Sequence, residues 1–454
     1  EVVEIDMGQA MQQATDSMRS VTHADLLQEG QDYGFDTTYD GRGVVLGIID
    51  VGFDYNHLAF LDKEGHTRIK RVYYPNVTST TGAASSSIVL SDGVTKLPGE
   101  HFDSAAVYSL TSDLKGNFHG SHTLSIAAGT RVGPYGGMAP GADIVVCSLA
   151  PKGYEFKNQV AVANAAKYIT DYARSVGKRC VISLSAGASI GPRDGSSYLC
   201  QVFDRLSAPD DATGYRGAVF CLSAGNNAGI NCDFKHLCTN TDSTELQFGL
   251  MPRTFHKTDG YGVSLWTYGK DLTPFGVQYV VLDPETDSVV YQTQVMKKYK
   301  VYYGGKKYVN YTSYDRKLSK YFEGRLATWS TPVNGRYELN TEATVTDATP
   351  GKHYKLILLY YAPAGTMIYG LGQTNAEFLP ADSIGPYGFI AGNDSCSIND
   401  DCTAKSVISV GAYTSKNQMT TLAGKPYREN TRLGEIASFS SFGIGLNGVP
   451  QPFV

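Results

Sequence analysis

No stretch of this 454-residue chain is apolar for long enough to span a membrane. Neither sign of charge is in strong excess: 39 lysines and arginines stand against 44 aspartates and glutamates, a net charge of −5. That balance excludes an electrostatic nucleic-acid binder. No signal-peptide pattern opens the chain, and its first residue is Glu1 rather than Met. A mature or trimmed form is therefore expected, with its targeting information elsewhere. No H-E-x-x-H occurs either, which removes a common metallopeptidase signature. Glycine (49) and tyrosine (31) are plentiful, which suits many turns and half-exposed sheet.

The eight cysteines divide into two groups. Cys147, Cys180 and Cys221 sit inside apolar, strand-like runs and read as buried free thiols. Cys200 falls in a predicted helix. The other four form two matching polar loops, Cys232-x5-Cys238 and Cys396-x5-Cys402. Two local disulfides are the expectation, each contributing on the order of 2 kcal/mol. They would imply an oxidising compartment. The rival is one zinc site made from all four, although the x5 spacing is wider than zinc motifs use.

The organising stretch is residues 44–54, VVLGIIDVGFD. An apolar run ends in Asp50 and is broken by Gly52, the pattern of a buried parallel strand with a carboxylate at its carboxyl end. Open α/β sheets do their chemistry at that edge. Asp50 there could orient a triad, ligate a metal, bind a ribose, or simply cap the next turn. Further strands are predicted at 143–148 (DIVVCS), 180–185 (CVISLS) and 217–223 (GAVFCLS). Helices are predicted from His119, over 157–175 and over 197–206. In the second, Val160, Ala163, Ala166, Ile169, Tyr172 and Ala173 recur along one face. Strand and helix alternating at this spacing predict a parallel α/β sheet.

Two segments depart from that pattern. Residues 62–115 read as an insertion of surface loops and a hairpin, with a Ser/Thr-rich middle at 78–87. From 246 to about 371 there are β-patterns and no convincing helix. Runs at 277–282 and 288–294 flank the turn 283–287, and runs at 301–303 and 307–309 flank Gly304-Gly305. Alternation at 337–345 and a run at 353–361 complete the set, and a β-sandwich is predicted. The α/β pattern resumes at 407–412 (VISVGA), so the sandwich interrupts one sheet domain.

Polar groups then fall at three element ends: Asp50, His119 and Asn226. Asp and His are two thirds of a nucleophilic triad, in which the His removes the nucleophile's proton and the Asp fixes its tautomer. An amide such as Asn226 suits an oxyanion hole, or a turn. His119 and His122, three apart, could also cap a helix, fill a core or pair on a metal.

Here the sequence resembles the subtilisin-like serine peptidases, the subtilases. Residues 50–57 (DVGFDYNH) resemble the family's D-[ST]-G-x-D-x-x-H, with Val51 at the Ser/Thr position, and His119-Gly120-Ser121-His122 resembles H-G-[TS]-H. Residues 139–142 (APGA), 185–187 (SAG), 224–226 (AGN), 407–412 and 438–443 (SFSSFG) follow in family order. The resemblance implies a parallel sheet flanked by helices, which the all-β sandwich read from the strand pattern interrupts. It implies peptide-bond hydrolysis through an acyl-enzyme, with Asp50 and His119 in the triad and Asn226 as oxyanion donor. Ser185, Ala186 and Gly187 would line extended substrate, with Ala224 and Gly225 beside them. His122 would be structural.

The implied domains are a lead-in at 1–22, the first part of a catalytic domain at 23–240, the insertion at 241–375 and the second part at 376–454. The family's G-T-S-M-A-x-P nucleophile motif is absent. Triad order puts the serine last, so it is expected beyond residue 454, and this chain alone is expected to be inactive. Ser440 and Ser441 precede that segment and are not expected to serve.

Two other readings compete. Residues 187–191 (GASIG) fit the G-x-S-x-G elbow of lipases and esterases, with Ser189 as nucleophile, but a loop, PRDG, follows where a helix is required. A non-catalytic binding protein using the sandwich is the other, motivated by the missing serine. No cofactor is required by the peptidase reading. Asn399-Asp400-Asp401 is the one candidate for a structural calcium. Partners are expected to be protein or peptide substrates, and the location extracytoplasmic.

Overall fold

The computed structural model describes residues 17–30, 34–75, 88–110, 112–113, 117–132, 135–151, 159–187, 191–240, 246–253, 260–306, 313–330, 335–372, 377–384, 387–420 and 424–454. The 307–309 run, the 78–87 stretch and Ser189 lie outside these residues.

Val44–Asp50 is the middle strand of a seven-stranded sheet. Across the sheet the order is Val407–Val410, Ala218–Ser223, Arg179–Leu184, Val44–Asp50, Asp143–Ser148, Ile69–Tyr74 and Glu100–Asp103. All neighbours are parallel except the last pair. A central parallel strand is covered on both faces, which is why its sequence is continuously apolar. On one face Val45 and Ile49 join Ile182, Leu184 and Phe220 under helices Gln159–Ser175 and Tyr198–Ser207. On the other, Leu46 and Ile48 pack with Val146 against Leu124 and Ala128 of helix His119–Ala128. Val160 falls on the outer side of its helix and is exposed.

The 62–115 stretch does more than loop over the surface. It supplies two strands of the main sheet, Ile69–Tyr74 and Glu100–Asp103, besides the small hairpin Ile88–Val89 with Lys96–Leu97. Lys70 and Arg71 break the apolar run that would have announced the first of these. Arg71 spends its charge over the ring of Tyr172, 5.3 Å from the ring centre.

The outer face of the sheet is bare at one end. Phe220 and Leu222 point into the core, while the alternating Val219 is 44% exposed. In the next strand Ile408 and Val410 face the same way, being registered against Cys221 and Ser223, and are also exposed.

The chain between Ser223 and Val407 builds a β-rich insertion of two antiparallel sheets. The four-stranded one has the order Phe248–Leu250, Lys355–Tyr361, Gly276–Leu282, Val289–Gln292. The six-stranded one runs Lys300–Gly304, Phe322–Ser330, Glu338–Asp347, Gly260–Gly269, Met367–Gly372, Asp233–Leu237. They share one core, in which Tyr279, Val281 and Leu358 meet Leu265, Leu326 and Leu339. The Tyr279 hydroxyl crosses it to donate to the Ala327 carbonyl at 2.6 Å. The insertion's first paired strand is Asp233–Leu237, ahead of the composition change near residue 240.

The two expected disulfides are not present. All eight cysteines are free thiols, seven of them buried. Cys232 and Cys238 bracket the extended Asp233–Leu237 strand, which holds them on the order of 20 Å apart. A disulfide needs a Cα separation of roughly 4–7 Å. Cys396 pairs through its backbone with Gly443, while Cys402 lies in the turn Asp400–Thr403 with its sulfur 3.1 Å from the Ser223 carbonyl. Matching spacing did not mean matching geometry. Burial also pushes the thiols at Cys147, Cys180, Cys200 and Cys402 upward, so they resist ionisation. Thiol titration without reductant should therefore be slow on native protein and should count all eight cysteines after denaturation. A count of four would restore the two disulfides.

Candidate active site

Asp50 ends the central strand at its carboxyl edge and is 1% exposed. A buried carboxylate is tolerable only when its oxygens are hydrogen-bonded. Oδ1 accepts from the Val51 backbone N–H at 2.7 Å and lies 2.7 Å from His119 Nδ1. Oδ2 accepts from the Thr123 hydroxyl at 2.8 Å. His119 and Thr123 lie one turn apart on the same helix, so a single element delivers both partners.

The helix start is held in place by the loop after Asp50. Gly120 N–H donates to the Val51 carbonyl at 2.7 Å, and Ser121 N–H to that of Gly52 at 3.0 Å. The Asn117 side chain accepts from His119 N–H at 3.0 Å. Gly52 has φ +78°, and a Cβ there would sit 1.9 Å from the Asn117 carbonyl oxygen. Only glycine fits. The buried Asp113 carboxylate locks the same loop, accepting from Phe53 N–H, from the Tyr55 hydroxyl at 2.8 Å and from the Ser148 hydroxyl at 2.6 Å.

His119 is half-exposed on its outer side. Among the described residues no hydrogen bond engages its Nε2. The bond to Asp50 raises its pKa above the ordinary value, against the opposing effect of burial. His122 differs: burial first, then the neighbouring His119 charge, lowers its pKa, and its buried Nε2 has no partner among the described residues. Pairing Nδ1 with a carboxylate while Nε2 faces outward prepares an imidazole to accept a proton at Nε2.

The remaining site residues lie at the next sheet edges. Residues 183–185, 221–226 and 410–412 line a cavity of about 280 Å³ at the carboxyl ends of their strands. Ser185, Ala224, Gly225 and Asn226 are all among them, and Asn226 is exposed. The structure thus brings Asp50 and His119 into direct contact and gathers Ser185 with Ala224–Asn226 in one cavity. Neither Ala186 nor Gly187 lines the cavity.

A brace from later in the chain holds the cavity walls, and the sequence did not announce it. Asn399 N–H donates to the Ala224 carbonyl at 2.9 Å, and its side-chain amide to that of Ser223 at 3.1 Å. Ser441 N–H donates to the Gly225 carbonyl at 2.9 Å, and its hydroxyl accepts from Asn227 N–H at 2.9 Å. Gly225, at φ +112°, leaves room for both: a Cβ would lie 2.8 Å from the Ser441 hydroxyl and 3.0 Å from Asn399 Oδ1. Ser440 likewise accepts from Ala412 N–H at 2.9 Å. Both serines are buried structural acceptors.

At the Asn399-Asp400-Asp401 candidate for calcium, the first two side chains make hydrogen bonds within the fold. Asn399 is engaged as above, and Asp400 Oδ1 accepts from Arg193 N–H at 2.7 Å. Burial pushes the Asp400 carboxyl up to about 6. Among the described residues no group of three potential ligands is arranged to hold a metal ion.

The model of the subtilase family matches residues 41–246. The subtilisin-like protease SBT2.1 of Arabidopsis thaliana is 35% identical over 130 residues. That match covers 24% of this chain and only 15% of the plant protein's length. Among solved structures, the CspB protease of Clostridium perfringens matches with a TM-score of 0.58, covering 91% of this chain and 74% of its own at 17% identity. That likeness is one of fold.

The two histidines should separate on titration. In a histidine-selective NMR titration His119 should titrate above 6.5 and His122 below it. A raised His119 pKa means that its pair with Asp50 stabilises the fold fully below about pH 6.5 and is lost as pH rises through the folded value. His122 acts oppositely, weakening the fold as pH falls below about 6.5. Asp50→Asn should bring His119 down toward its ordinary value. Coincident titration of the two histidines would contradict the pairing.

Proposed function

We propose, from the match of residues 41–246 to the subtilase family, that this chain is part of a serine endopeptidase in which Asp50 orients His119, His119 is the general base, and the serine nucleophile lies on a segment outside residues 1–454. The observation that carries the reading is the 2.7 Å contact between buried Asp50 and His119, with Nε2 left open.

In this mechanism His119 Nε2 takes the serine proton as the oxygen attacks the scissile carbonyl. Asp50 stabilises the imidazolium that forms, and His119 then returns the proton to the leaving amine. Charge developing on the carbonyl oxygen is met by the Asn226 amide, which stands exposed at the cavity rim. Substrate lies extended along Ser185, Ala186 and Gly187 and pairs with their backbone by β-augmentation. The bare face formed by Val219, Ile408 and Val410, beside that cavity, supports a covering segment that brings the serine. Until it does, the chain is inactive. Substrates are proteins or peptides. An extracytoplasmic location keeps the support of the family but loses that of the cysteines, which are free.

Labelling with a fluorophosphonate, read by intact mass, tests this on the 454-residue chain and on the product of the uninterrupted gene. Label on the longer product alone is expected. Label on the 454-residue chain would move the nucleophile inside it, with Ser189 the first to examine. Label on neither would favour a binding protein. In an active form, Asn226→Ala should lower kcat on the order of 10²–10³-fold with little change in KM, a magnitude taken from a subtilisin itself.

A further inference from the structure

The Asp50 carboxylate has two oxygens, and only Oδ1 meets the imidazole. What Oδ2 does decides whether that contact holds, because a carboxylate with one free oxygen can rotate about its own axis. Val51, beside Asp50, offers its backbone N–H to Oδ1 and has no side-chain donor. The Oδ2 partner is Thr123, four residues after His119, at 2.8 Å. The same hydroxyl lies 3.2 Å from the Gly120 carbonyl, the local back-bond that a helical threonine ordinarily makes. One proton cannot serve both. The shorter bond, to a charged and buried oxygen, is the stronger and takes it. With Asp50 at 1% exposure, water is not at hand to replace a lost donor.

We propose that Thr123 is a positioning residue: its hydroxyl pins the Asp50 carboxylate so that Oδ1 faces His119 Nδ1, which fixes the imidazole as the Nδ1–H tautomer and leaves Nε2 as the base. The proposal rests on the reading of Asp50 and His119 as orienter and base. It also gives Thr123 a purpose that burial alone does not, since its side chain is only partly buried. The titratable groups that act on His119 are Asp50, on the strand against which its helix packs, and His122, on its own helix. A change at Thr123 leaves both residues in place and removes only the donor to Asp50 Oδ2.

The test is ¹⁵N-histidine NMR of the 454-residue chain, which requires no turnover. Wild-type protein should show a slowly exchanging Nδ1–H resonance for His119. Thr123→Val, nearly the same shape without the donor, should lose that resonance, mix the two tautomers and lower the His119 titration midpoint toward 6.5. Thr123→Ser should restore all three. Should the valine variant fail to fold by circular dichroism, Thr123→Ala removes the same hydroxyl without placing a methyl against the carboxylate. Unchanged resonance and midpoint in either folded variant would overturn the proposal. Failure of fluorophosphonate labelling would count against the peptidase reading and leave this result untouched.

Discussion

A carboxylate buried to 1% exposure is the constraint on which this site depends. Removing a charge from water is costly unless each oxygen finds a donor, and an unpaired buried carboxylate would protonate or unfold its surroundings. Asp50 finds a backbone N–H, an imidazole and a hydroxyl. Two of the three come from one helix, so that helix cannot shift along the sheet without breaking both. The loop between strand and helix is then fixed in length and direction. Gly52 exists because the chain must turn under Asn117, and Asp113 exists because the turned loop exposes donors that need an acceptor. Satisfying one charge has therefore determined the conformation of residues well beyond it.

The cavity walls are organised by a different logic. Strand ends leave carbonyls without ladder partners, and those of Ser223, Ala224 and Gly225 are all met by donors from Asn399 and Ser441. These donors arrive only after the whole insertion has been threaded. The insertion touches the same region through Arg336, whose Nε donates to Asp194 at 3.2 Å in the loop that follows the Ser185–Gly187 stretch. The cavity edge is thus held between the sheet, the last part of the chain and the β-rich insertion.

Much of this was legible in the sequence because it rested on patterns that burial writes plainly. The run into Asp50, the small-residue helix after His119 and the glycine at 52 each have one physical reading once placed on a parallel sheet. The parts that were not legible depend on distance in three dimensions. Thr123 looked like one more residue of a small-residue helix, and its bond to Asp50 joins residues far apart in sequence. Asp113 lies in a polar stretch with no periodicity. Ile69–Tyr74 was hidden by two basic residues, of which Arg71 spends its charge over a tyrosine ring. The cysteine pairs misled because equal spacing in sequence became a stretched strand in one case and a tight turn in the other.

The insertion leaves the sheet domain and returns to it at almost the same point, since Asp233 and Asn393 exchange backbone hydrogen bonds at 3.1 and 2.8 Å. This closure governs how the molecule can assemble. Ala218–Ser223 and Val407–Val410 are adjacent parallel strands, yet residues 224–406 stand between them. Pairing them across an unstructured loop of that length would be slow, because the loop's entropy is lost before any contact repays it. Once the insertion has folded on its own core, the Asp233–Asn393 clasp shortens the effective loop to the two segments 224–232 and 394–406. The sheet's last parallel strand then docks as a nearly local event. The brace at Asn399, only six residues past the clasp, falls into place with it. In this order of events the β-rich insertion is a folding template for the cavity before it is anything to a substrate.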